Sequence, residues 1–143
     1  LLPLFWFNRD DSIFVAGDSA VAYIAPDGKT GWKEQFRSVA GAAPAGDGRL
    51  AVAAYVDEGA ILNIYTAGGE KDVSVMLQGI PKGLDAVRGM VAVYTEDTVY
   101  FYDDRGTNTC IHYAGREILE VHLFDKRQAV VVTEGEITVI GME

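Results

Sequence analysis

The chain has 143 residues, 12 basic and 21 acidic, for a formal net charge of −9. That length fits one domain able to bury a core without disulfides or metals. The acidic balance argues against nucleic-acid binding, which needs a basic stripe to track phosphates. A single cysteine, Cys110, excludes an internal disulfide and a cysteine-rich zinc site.

From the N-terminus, Leu1 to Phe7 (LLPLFWF) is the most apolar segment and gives way abruptly to Asn8-Arg9-Asp10-Asp11. Leu4 to Phe7 is expected to be an inner strand. The competing expectation is the end of a membrane anchor or signal segment, with Trp and Phe at the interface. That alternative sets the domain outside the cytoplasm behind an N-terminal tether. No run within the chain reaches the roughly 18 apolar residues that span a bilayer as a helix.

Beyond this segment the punctuation repeats. Short apolar runs begin at Ile13, Leu50, Met90 and Ala129, a period near 39 residues. Each is followed by a tight acidic turn and a second run, ending at Ile24, Tyr65, Tyr102 and Ile140. A glycine stands four residues after the first three of those ends, at Gly28, Gly69 and Gly106. A further strand follows each glycine turn, over Trp32 to Arg37, Asp72 to Leu77 and Thr109 to Tyr113, alternating like an exposed edge. Short strands precede the later first runs, at Leu84 to Val87 and Ile118 to Leu123. The runs are rich in Val, Ile, Tyr and Phe and bounded by Gly, Asp and Pro, so strands are predicted throughout and helices are not.

Four antiparallel strands per period of about 40 residues predict the blades of a β-propeller. The first runs are apolar almost throughout, as expected of strands covered by neighbouring blades on both sides. A β-sandwich is the competing architecture, but it would give cleaner in/out alternation. The units are 4–37, 42–77, 84–113 and 117–143, within one propeller domain. They supply four, four, four and three strands, one short of complete. Such a chain is either a compact four-bladed ring or part of a larger ring, closed by further sequence or by a second copy. The N-terminal stretch is an alternative source of the strand lacking in the last blade.

Motifs for chemistry are sparse. The only histidines, His112 and His122, lie in strands, and no HxH, HExxH or Cys/His cluster accompanies them. Cys110 and His112 share a strand face, a thiol–imidazole pair with no third orienting group. Glycine-rich phosphate loops, the GxSxG elbow and DxDxDG calcium loops do not occur. The adjacent acids Asp10-Asp11 and Asp103-Asp104 are turn residues, and the inner-strand segments Leu84 to Val87 and Ile118 to Val121 offer only Asp85 and Glu120 as polar groups. No catalytic residue, metal or cofactor is therefore assigned.

One charge pattern recurs. The turn after each first run is acidic: Asp18, then Asp57 and Glu58, then Glu96 and Asp97, then Glu134 and Glu136. In a propeller these turns emerge on one face of the disc, forming an acidic rim for a basic protein partner. The opposite face carries Arg9, Arg88, Lys126 and Arg127.

Two segments carry a resemblance. Residues Ala45 to Val52 (AGDGRLAV) resemble the turn and strand opening of WD40-like blades. Residues Asp27 to Trp32 (DGKTGW) resemble the Asp-x-x-Thr-Gly turn of quinoprotein-like blades, with Trp32 directly after Gly31 rather than several residues on. A Gly-His…Trp-Asp pairing of true WD40 repeats is absent. The whole is similar to membrane-anchored bacterial quinoprotein-like propellers. The resemblance implies a propeller outside the cytoplasm or at the cell surface, and no particular activity. The function expected is a non-catalytic interaction or scaffold module. A quinoprotein-like ligand-binding or enzymatic domain using the axial funnel, and a subunit assembling through its unfinished blade edge, are the alternatives.

Overall fold

A computed structural model describes residues 3–142, and every regular element among them is a β-strand. The strands form four antiparallel sheets in chain order. The first holds β1 (Leu4–Phe7), β2 (Ile13–Ala16), β3 (Ala20–Ile24) and β4 (Thr30–Gln35). The second holds β5 (Ser38–Pro44), β6 (Leu50–Val56), β7 (Gly59–Tyr65) and β8 (Lys71–Met76). The third holds β9 (Gly83–Val87), β10 (Met90–Tyr94), β11 (Thr98–Tyr102) and β12 (Asn108–Tyr113). The fourth has three strands, β13 (Ile118–Asp125), β14 (Gln128–Thr133) and β15 (Glu136–Gly141). Each sheet is a meander, and the innermost strands β5, β9 and β13 lie beside one another in turn.

Three hydrophobic clusters hold successive blades together. Phe14, Ala16 and Val21 of the first blade meet Leu50, Val52 and Ala54 of the second. Ala51, Ala53, Leu62 and Ile64 then face Val91 and Val93 of the third. Ala92, Val99 and Phe101 face Ile118, Val121, Ala129 and Val131 of the fourth. On β6 and β10, even- and odd-numbered side chains therefore serve different clusters, which is why these runs are apolar at every position. The end-blade strands β2 and β14 bury only alternate residues.

Among the described residues no cluster joins the fourth blade to the first, so the blades form an open arc rather than a compact four-bladed ring. The N-terminal strand does not complete the last blade. β1 pairs with β2, Trp6 opposite Phe14, because Trp6 finds an apolar partner in the cluster between the first two blades. Residues 1 and 2 of the apolar N-terminal segment lie outside the described residues. No described helix is long and apolar enough to cross a membrane.

The glycine turns set the blade spacing. Gly69 has φ +86°, and a Cβ there would fall 2.5 Å from Trp32 Nε1 and 2.8 Å from Tyr23 Cγ. Trp32 lies across this bare backbone, stacked on Tyr65 at 4.6 Å and on Tyr23 at 6.5 Å between ring centroids. Trp32 thus docks on the next blade although it follows Gly31 directly.

Candidate partner-binding face

The turns between second and third strands of each blade share one face with the links between blades. Backbone bonds stitch them together: the Val39 N–H donates to the Asp18 carbonyl at 2.7 Å, and the Ile118 N–H donates to the Glu96 carbonyl at 2.7 Å. The acidic turns of the first and third blades thus also anchor the start of the next blade. This dual use explains why the turns are tight and why their side chains, not their backbones, are left to face water.

The acids of these turns differ in setting. Asp57 lies 4.0 Å from Arg37, with both side chains exposed. Glu58 is exposed beside it in the β6–β7 turn. The Asp97 carboxylate accepts the Thr98 hydroxyl at 2.9 Å, while its carbonyl accepts the Ala114 N–H at 2.8 Å. Glu134 is exposed in the β14–β15 turn, and Glu136, the first residue of β15, pairs with Arg116 at 3.3 Å. The links on this face add Glu117 and the bases Arg37, Lys82 and Arg116. Seven acids in turns and links (Asp18, Asp57, Glu58, Glu96, Asp97, Glu117, Glu134) thus stand against three bases. The ion pairs at Lys82–Glu117 and Arg116–Glu136 are exposed and contribute little to stability.

The turns of the opposite face hold seven bases: Arg9, Lys29, Arg49, Arg88, Arg105, Lys126 and Arg127. They are matched by Asp10, Asp11, Asp27, Asp47, Glu70, Asp103 and Asp104. Two of these charges tie blade to blade: Arg88 pairs with Asp47 at 2.6 Å, and Arg49, paired with Asp72 of its own blade at 2.8 Å, donates to the Asp104 carbonyl at 3.2 Å. The arc is therefore polarised by acid on one face, with the other balanced.

Between the second and third blades the acidic face is not flat. A groove of about 680 Å³ runs between Tyr55, Lys82, Glu96, Asp97, Tyr100 and Glu117. A second, of about 510 Å³, lies beside Arg37, Tyr55 and Asp57. Ile80, 73% exposed, and Tyr55 border both. The β8–β9 link is held in place by the Tyr55 hydroxyl, which donates to the Pro81 carbonyl at 2.5 Å, and burial pushes that phenol's pKa up. Lys82 Nζ reaches across to the Ile118 carbonyl at 2.6 Å. Structure thus gathers Asp57, Glu96 and Asp97 around one exposed isoleucine, whereas Asp18 and Glu134 sit on the end blades and line neither groove. Ile80 belongs to no repeated run; its one signal in the sequence is a large aliphatic residue set between Gly79 and Pro81.

Elsewhere the polar groups are engaged structurally. On the inner strands, Asp85 accepts the Leu123 N–H at 2.8 Å, bridging the third and fourth blades. Glu120 bonds His122 at 3.0 Å on an exposed surface. Cys110 is half-buried against the core between the third and fourth blades. Among the described residues no group of His, Cys, Asp or Glu is placed to hold a metal ion.

No family model matches the sequence, and neither does any curated protein. Solved structures do share its fold. BamB from Moraxella catarrhalis superimposes with a TM-score of 0.76 at 14% identity, over 96% of this chain and 45% of that one. The Pan2 WD40 domain of Neurospora crassa gives 0.68 at 15%, over 98% and 50%. BBS1N, solved in complex with ARL6DN, gives 0.71 at 17%, over 99% and 50%. The fold is a β-propeller like that of the Pan2 WD40 domain and BamB, and the chain spans about half the length of these solved chains.

Proposed function

We propose that this chain is a non-catalytic propeller module that receives a basic protein segment on its acidic face, in the grooves flanking Ile80. One observation carries the reading: exposed apolar surface and clustered carboxylates coincide there, while the other face is charge-balanced. An apolar anchor beside four carboxylates and only two bases suits a peptide carrying Lys or Arg around a hydrophobic residue. Its propeller fold fits this role, since the related BBS1N structure holds a protein partner. The resemblance to membrane-anchored propellers supports an extracytoplasmic site of action, behind an N-terminal tether.

The test compares two variants of equal charge against an arginine-rich probe peptide. Amidating Asp57, Glu58, Glu96 and Asp97 is expected to weaken binding roughly tenfold at low salt, and much less at high salt, where screening already removes the attraction. Amidating Asp11, Asp27, Glu70 and Asp104 on the opposite face is expected to change it little. Equal losses from both variants would reduce the attraction to net charge and refute a face-specific site.

A further inference from the structure

Two of the three interior blade junctions are closed along the rim in the same way. Gly69, in the β7–β8 turn, receives Trp32 from β4, the outermost strand of the preceding blade. Gly106, in the β11–β12 turn with φ +83°, receives the outermost strand β8: a Cβ there would meet Val73 at 2.6 Å and Val75 at 3.1 Å. Gly28 holds the same place in the β3–β4 turn, with φ +83°, yet nothing lies within 4 Å of its Cβ position.

The sheet face beside Gly28 matches that opening. Phe5 and Phe7 are 58% and 77% exposed, on the side of β1 away from Trp6. Register places Phe5 opposite Val15 and Phe7 opposite Ile13, and Val15 and Ile13 in turn oppose Ala22 and Ile24. Three adjacent strands thus present an apolar surface of the kind that every interior junction buries.

We propose that this face is the seat of a further propeller blade, complete with four antiparallel strands, whose outermost strand lays a side chain over Gly28. A second copy of this chain does not supply it. Among the described residues the terminal blade such a copy would offer, β13–β15, has no outermost strand like those that provide the docking residue at the first two junctions. The occupant is a blade encoded outside these 143 residues, in keeping with a chain that spans 45 to 50% of the propellers it superimposes on.

Adding a blade tests this. Residues 4–37 are duplicated ahead of Leu4, so that the extra Trp32 falls over Gly28 as the native one falls over Gly69. In stacked repeats stability grows with each matched neighbour. The extended chain is expected to unfold in one transition at higher denaturant than the parent. Gly28→Asn, which tolerates the left-handed backbone, is expected to remove most of that gain while leaving the parent's midpoint nearly unchanged. An added blade that unfolds separately, or a G28N effect of equal size in both chains, overturns the proposal. Sedimentation equilibrium of the unextended chain decides independently, even if the extended one does not fold. A mass near 15.5 kDa agrees with the proposal, whereas a discrete dimer that shields Phe5 and Phe7 makes a second copy the occupant and refutes it.

Discussion

Tyr65 joins two blades through one hydroxyl. It donates to Glu34 of the first blade at 2.6 Å and accepts from the Asn63 amide at 3.1 Å, while Lys71 pairs with the same carboxylate at 3.2 Å. Burial, then the bond to Glu34, push the phenol's pKa well above its ordinary value near 10. The folded chain therefore keeps a proton that the unfolded chain loses, and the bond's stability is present below about pH 10 and fades above it. Tyr65→Phe is expected to cost about 1–2 kcal/mol at neutral pH, because a buried amide and a carboxylate lose their partner. Its denaturation midpoint should fall less steeply than the parent's above about pH 10; parallel alkaline slopes would show that the hydroxyl does not couple to folding. Gly69→Ala is expected to destabilise by about 1–3 kcal/mol, through a left-handed backbone and a collision with Trp32. A fluorescence shift of Trp32 should accompany it, and an unchanged midpoint would contradict the docking.

At the scale of the element, a strand's position in the arc decides what a substitution does. Val93 on β10 is buried between the second and third blades, so Val93→Ala is expected to cost roughly 2 kcal/mol in chemical denaturation. Val132 on β14 opposes exposed Ile137, so Val132→Thr is expected to shift stability by no more than about 0.5 kcal/mol. Comparable costs at both sites would mean that the fourth blade is covered on both faces in solution. This difference also marks what was legible beforehand. The first runs advertise themselves because burial on two faces leaves no room for polar residues, and the edge strands β4, β8 and β12 advertise themselves by alternation. β5 does not: Ser38 to Pro44 (SVAGAAP) is small and poor in β-branched residues, since close approach to β9 permits little else. A Cβ on Gly41 would meet the Leu84 backbone at 3.0 Å. The strand count implied β5, but its composition did not locate it.

For the whole molecule, the period and the glycine spacing made the propeller readable, because blade stacking demands the same residues at every junction. The acidic rim was readable for the same reason, recurring at each equivalent turn. Its grooves were not, since they arise where the β8–β9 link, Tyr55 and the β10–β11 turn converge from distant parts of the sequence. The bases Arg9, Arg88, Lys126 and Arg127 do not make the other face basic, because acids in the same set of turns match them. The most direct measurement is a map of where an arginine-rich peptide with a photoreactive central hydrophobic residue attaches to the chain. Crosslinks concentrated on Tyr55, Ile80 and Tyr100, suppressed when Ile80 is changed to Ser, are the predicted result. Attachment spread evenly over both faces, or centred on the Asp47–Arg88 side, would contradict the account.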